Sequence, residues 1–113
     1  MANTFKLKTK AGIDTSLTTV YTVPGSTTTV IIGLTIANIK GASVTADAKV
    51  ISDTSDTETN VDVYLAKDIP LPAGSSVEVM AGNKIVLQTT DAIQVKGSVT
   101  DAVDVILSVM EIT

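Results

Sequence analysis

The chain has 113 residues, a formal charge of −4, and no cysteine, histidine, tryptophan or arginine. That is room for one ordinary domain, without thiols for disulfides or thiol catalysis, without the commonest transition-metal ligand, and without the guanidinium fork that clamps phosphate. The acidic isoelectric point near 4.5 also argues against nucleic acid, whose binding rests largely on neutralised phosphates.

Threonine, valine and isoleucine number 18, 15 and 11. Their branched Cβ atoms are stiff at χ1 and suit a pleated surface better than a helix. Most segments alternate apolar and polar residues with period two, so the expected fold class is all-β.

Phe5 and Leu7 alternate with Lys6, Lys8 and Lys10, which predicts a strand or arm with one basic face. After a turn at Ala11-Gly12, Leu17, Tyr21 and Val23 share one parity of a half-buried strand that ends at Pro24-Gly25. Over 27–40, Val30, Ile32, Leu34 and Ile36 line one face, while Ile31, Ala37 and Ile39 put apolar groups on the other. This reads as a central strand covered on both faces, or one whose outer face meets another subunit. Lys40-Gly41-Ala42 predicts a tight reversal into a partner strand carrying Val44, Ala46, Ala48 and Val50.

The stretch 52–60 holds no apolar residue and reads as an exposed loop. Val61, Val63 and Leu65 resume alternation, and Pro70 and Pro72, lacking donors, predict an extended edge crossing between sheets. Ala81-Gly82-Asn83-Lys84, between two apolar runs, predicts a hairpin. A further strand at 93–96 and a stripe of Val103, Val105, Leu107 and Val109 close the chain. The expectation is a single domain over 1–113: an antiparallel β-sandwich, jelly-roll-like or immunoglobulin-like, of about eight or nine short strands. Residues 1–12 stand apart as an N-terminal strand or arm.

The opening residues lack the apolar run of a signal peptide, and the longest apolar stretch, 30–39, is interrupted by Gly33, Thr35 and Asn38. A soluble protein without a cleaved signal or membrane span is expected.

Catalytic constellations are thin. Serine and threonine hydroxyls need a base, and no histidine exists to serve; a Ser–Lys pair has no strained turn to present it. Asp101 with Asp104, or Asp62 and Asp68 near strand ends, could supply paired carboxylates, but Phe5, Tyr21 and Tyr64 are the only rings available to grip a sugar. Solvated strand ends are the simpler reading, and no enzyme activity and no cofactor are expected. For metals, Asp53, Asp56 and Glu58 offer hard oxygen ligands on one loop, though without the glycine and alternation of a dedicated calcium loop.

Lys6, Lys8 and Lys10 read first as guards of an exposed strand edge, and second as an arm laid on an acidic partner. The 44% hydrophobic content is more telling. Ile31, Ile39, Ile106 and Ile112 lie on the parity opposite the main stripes and are the candidate contact residues of a homo-oligomer, a trimer first and a dimer next.

The run Ile69-Pro-Leu-Pro-Ala-Gly-Ser-Ser-Val-Glu-Val-Met-Ala-Gly-Asn-Lys-Ile-Val-Leu-Gln-Thr-Thr-Asp-Ala-Ile-Gln-Val95 passes from a proline-glycine turn through a Gly-Asn-Lys turn to a strand and an aspartate. Together with the closing alternation of 103–112 it resembles small virion structural proteins of tailed bacteriophages, including phages of cyanobacteria and other marine bacteria. The resemblance implies a β-sandwich that decorates or cements the capsid, or sits at the neck or tail, with no catalytic residues to carry over. The 52–60 loop has no counterpart in it.

The functional expectation is therefore a non-enzymatic virion protein, assembled in the host cytoplasm. First comes a capsid cement or decoration protein that binds its own copies and the major capsid protein. A tail or neck protein is the next reading. From another class comes a soluble sandwich that binds carbohydrate or a receptor. Neither nucleic acid nor membrane is an expected partner.

Overall fold

The computed structural model describes residues 2–52 and 60–113. Among the described residues nine strands form: β1 (Asn3–Ile13), β2 (Thr18–Thr22), β3 (Thr28–Asn38), β4 (Val44–Ile51), β5 (Val63–Leu71), β6 (Ser76–Glu78), β7 (Ile85–Leu87), β8 (Ala92–Gly97) and β9 (Val103–Ile112). They build two antiparallel sheets. One has the order β1-β9-β3-β6 with β7 also on β3; the other has the order β2-β8-β4-β5.

The sequence-distant pairs nest. β4 pairs with β5, β3 with β6 and β7, β2 with β8, and β1 with β9. The chain is thus one long hairpin with its tip between β4 and β5, rolled so that its rungs fall alternately into the two sheets. Rolling brings β9 against β3 and β8 against β4. This is the jelly-roll form of the sandwich rather than the immunoglobulin-like one. It also returns the termini to each other: Ala2 and Thr113 exchange both backbone hydrogen bonds, at 3.1 and 2.9 Å.

The core lies between the sheets. Val103, Val105, Leu107 and Val109 of β9 and Ile31, Leu34 and Ile36 of β3 face Val44, Ala46, Ala48 and Val50 of β4 and Ile93 and Val95 of β8, all buried. Small alanines on β4 opposite bulky residues on β3 and β9 let the two faces interdigitate.

Strand β3 departs from the expected alternation. Its register against β9 slips between Ile31 and Gly33, where Ile32 is an extra residue. Such a bulge reverses parity, so Thr29 and Ile31 point inward before it and Leu34, Ile36 and Asn38 after it. Ile31, expected on the outer face as a contact residue, is fully buried.

The segment across from the bulge also differs from expectation. β6 and β7 do not form a hairpin with each other. Both run antiparallel to β3, β6 along Thr35–Ala37 and β7 along Thr29–Ile31, as two pieces of one interrupted edge strand. Ala81 and Gly82, both at positive φ, make a tight turn closed by Asn83 N–H to the Met80 carbonyl at 2.9 Å. The glycine-asparagine signal marked a real turn, but one that bulges outward between collinear strands. Glu78 closes the gap: its carboxylate accepts from Leu34 N–H (3.1 Å), Met80 N–H (2.9 Å) and the Thr35 hydroxyl (3.1 Å). A Cβ at residue 33 would stand 3.3 Å from the Glu78 carboxylate, which would have to give by a few tenths of an ångström.

Two further readings are corrected. After Lys40-Gly41-Ala42, β4 does not pair back on β3 but crosses to the opposite sheet. Pro70 lies within a strand, paired with Thr45, which β5 tolerates because it is an edge strand. The crossing between sheets follows it, at 72–75.

Candidate interaction surface

The outer face of the five-stranded sheet is built by cross-strand registers. Phe5 on β1 stands opposite Met110 on β9, Met110 opposite Val30 on β3, and Val30 opposite Val86 on β7, giving one apolar row across the sheet. On one side of it lies the row Asn3–Ile112–Thr28, and on the other Leu7–Ser108–Gly33, followed by Thr9–Ile106–Thr35. The extra residue Ile32 adds a further exposed apolar group beside Gly33. Phe5 is 72% exposed, Leu7 64%, Val86 56% and Ile106 47%.

No charged residue occupies the first three of these rows. The acids of this face, Glu78 and Asp104, sit towards its other end, and both hold backbone N–H groups, Asp104 taking that of Gly12 at 2.9 Å. A contiguous exposed apolar area of this kind on a small chain is a candidate contact surface.

Of the expected contact residues, Ile106 and Ile112 lie on this face, Ile112 partly buried. Ile39 is exposed just beyond the end of β3, its N–H bonded to the Ala102 carbonyl at 2.9 Å. Ile31 is in the core. The residues that sequence reasoning missed are Phe5, Leu7, Val30, Met110 and Val86. For Phe5 and Leu7 the lysines misled: the basic side of β1 turns toward the sandwich, not away from it.

The reason is a buried polar cluster. Glu111 continues the inward stripe of β9 and is buried; its Oε1 lies 2.8 Å from Lys6 Nζ and its Oε2 accepts from the Tyr21 hydroxyl at 2.6 Å. With its one proton committed there, the Tyr21 oxygen accepts from the Thr29 hydroxyl at 2.8 Å. Lys8 Nζ lies 5.9 Å from the Tyr21 ring centroid. These contacts tie β1, β3 and β9 of one sheet to β2 of the other. Hydrogen bonds from Lys6 and then Tyr21 hold the Glu111 carboxyl below its ordinary value, against the opposing effect of burial. Burial first, and then the bond to Glu111, push the Tyr21 hydroxyl up to about 12.

Of the carboxylates weighed for catalysis, Asp101 and Asp104 both border Gly12, whose N–H Asp104 accepts, while Asp62 and Asp68 lie at other places. Asp62 accepts from Ser52 N–H at 3.0 Å, Asp68 sits at positive φ within β5 where its register on β4 slips, with its N–H on Asp47, and Asp101, also at positive φ, abuts Gly12. The calcium candidates Asp53, Asp56 and Glu58 fall outside the described residues. Among the described residues no group of three acidic side chains converges as a metal site, and no helix is long and apolar enough to cross a membrane.

A cleft of about 350 Å³ lies between the β4–β5 end and β7, lined by Val50, Ser52, Val63, Ile85, Leu87 and Asp91 among others. Its buried acid, Asp91, is occupied by the Ser52 hydroxyl and Gln88 N–H, both at 3.0 Å. Among the described residues that line it there is no aromatic ring to stack on a sugar.

No family model matches the chain, and no curated protein matches it. Among solved structures, a chain of the infectious bursal disease virus VP2 subviral particle aligns over 95% of this chain and 41% of its own length, with 11% identity and a TM-score of 0.27. The present chain spans less than half of that one, and a likeness at this level carries no argument about function.

Proposed function

We propose that the chain is a non-enzymatic structural protein of a bacteriophage virion, a capsid cement or decoration protein that adheres through the outer face of its five-stranded sheet. The observation that carries this reading is the uncharged apolar row Phe5–Met110–Val30–Val86. Copies of a chain with charge −4 repel one another, and this face lets two of them, or one copy and a shell protein, meet without facing charges. Burying each large side chain there is worth roughly 1.5–3 kcal/mol, whereas an exposed lysine pair contributes roughly 0–1 kcal/mol and weakens with salt. The sequence resemblance of 69–95 and 103–112 to phage virion proteins supports the particle as the setting. The jelly roll, common in capsid domains and also in lectins and cupins, is compatible with it.

Quantitative mass spectrometry of purified particles tests the setting. Hundreds of copies per particle are expected. A dozen or fewer would place the chain at the neck or tail, and absence from particles would overturn the reading.

A further inference from the structure

The N-terminal strand is long, fully laddered and almost unburied. β1 pairs with β9 from Asn3 to Lys10, yet of its eleven side chains only Ile13 is buried. A strand of a two-layer sandwich ordinarily buries every second side chain. Here the inward positions of the arm are Lys6, Lys8 and Lys10, which lean over the rim of the sandwich, and the outward positions are the exposed Phe5 and Leu7. What holds the arm is the backbone ladder, the ion pair from Lys6 to Glu111 and the reciprocal hydrogen bonds of Ala2 with Thr113. None of these contacts distinguishes the chain's own β1 from that of another copy.

A bulge marks the root. The ladder slips between Lys10 and Ile13, and Gly12, at φ +62°, turns its N–H away from β9's backbone onto the Asp104 carboxylate. Beyond the bulge, Ile13 is anchored in the core, so the arm ends where burial begins. Ten extended residues reach about 33 Å. The molecule measures 45 × 26 × 21 Å, so a released arm is long enough to cross the narrow dimensions of a neighbour and reach its β9.

From this arrangement we infer that residues 2–11 are an exchangeable arm, and that in the assembled state each copy lays its β1 on the β9 edge of a second copy. Exchange preserves the ladder and the Lys6–Glu111 pair and costs only the ordering of the partners. It rests on the proposed self-association, since contact through the outer face is what raises the local concentration of a neighbour's arm above that of free solution.

The absence of cysteine makes the test unambiguous. Ala2 and Thr113 exchange both backbone hydrogen bonds, a geometry that places the two Cα atoms about 5.5 Å apart, within disulfide range. Both are exposed and lie outside the core and the apolar rows. The double variant A2C/T113C is assembled, oxidised, and run on a denaturing gel without reductant, alongside light scattering of the same sample. Exchange predicts that most of the protein migrates as covalent dimer or trimer. A chain that scatters as an oligomer but runs as an 11.6 kDa monomer would overturn exchange while leaving the self-association intact. A chain that scatters as a monomer would overturn both. Should the double variant fold poorly, mixing A2C with T113C before assembly gives the same answer: exchange yields a covalent heterodimer, and its absence from assembled samples contradicts exchange.

Discussion

Replacing Ile31 with aspartate should abolish folding, while the same replacement at Ile106 should leave a folded chain that no longer associates. The two isoleucines look alike in sequence, each flanked by apolar residues on a long strand. Ile31 is fully enclosed between the sheets by the parity reversal at the β3 bulge. A carboxyl group there is desolvated with no cation beside it. Even if it protonates, the lost burial and the unpaired polar group together cost an amount comparable with the roughly 5–15 kcal/mol that holds a typical domain together. The milder Ile31→Ala should cost about 2–5 kcal/mol in urea denaturation, from lost burial and the cavity left behind. Ile106 is 47% exposed, so Ile106→Asp should cost only about 1–2 kcal/mol, from the part of the side chain that is covered and the poor strand propensity of aspartate. A folded Ile31→Asp protein would show that the bulge is misplaced.

The next largest effect should come from Glu111→Ala, with a loss of about 2–4 kcal/mol. Most of it is the loss of the charged acceptor of the buried Tyr21 hydroxyl, worth about 1.5–3 kcal/mol, which a bond to the Thr29 hydroxyl only partly replaces, and the half-exposed Lys6 contributes the smaller share. Lys6→Gln should accordingly cost under about 1 kcal/mol. The same cluster sets the pH limits. The Glu111 carboxyl is held below the ordinary value of 4.5, so its contribution is complete above that value and is lost as the solution is acidified below it. Tyr21 is raised from 10.0 to about 12, so its contribution is complete below pH 10 and lost as pH rises through 12. Melting temperature should therefore fall on both flanks. In Glu111→Ala the acid-side dependence should flatten, and an unchanged acid limb would assign it to other carboxylates.

How much of this was legible in the sequence depends on the range of the interaction that decides each feature. Period-two alternation in β9 runs without interruption, so Ile106 and Ile112 could be placed on the outer face from sequence. β3 carries the same kind of apolar run, but its bulge lies beside a partner 44 residues on from Leu34, where Glu78 supplies the acceptor that the interrupted edge lacks. Nothing local distinguishes Ile31 from Ile32. Phe5 and Leu7 were obscured by a sound local rule, that lysines face solvent. What overrides it is the buried Glu111 at the far end of the chain, and such a pairing is invisible without the nested register of β1 on β9. The turn at 81–84 was correctly seen and its strands misassigned, because a turn signal reports backbone conformation and not which strand the flanks will pair with.

Adhesion through the outer face of the five-stranded sheet is read by sedimentation velocity at micromolar concentration. Wild-type chain, Ile106→Asp and Met110→Asp would be compared in low and high salt. The wild type is expected to sediment as a trimer or dimer at both salt concentrations, and both variants as folded 11.6 kDa monomers. A wild-type chain that sediments as a monomer, or variants that associate as well as the wild type, would contradict adhesion through this face.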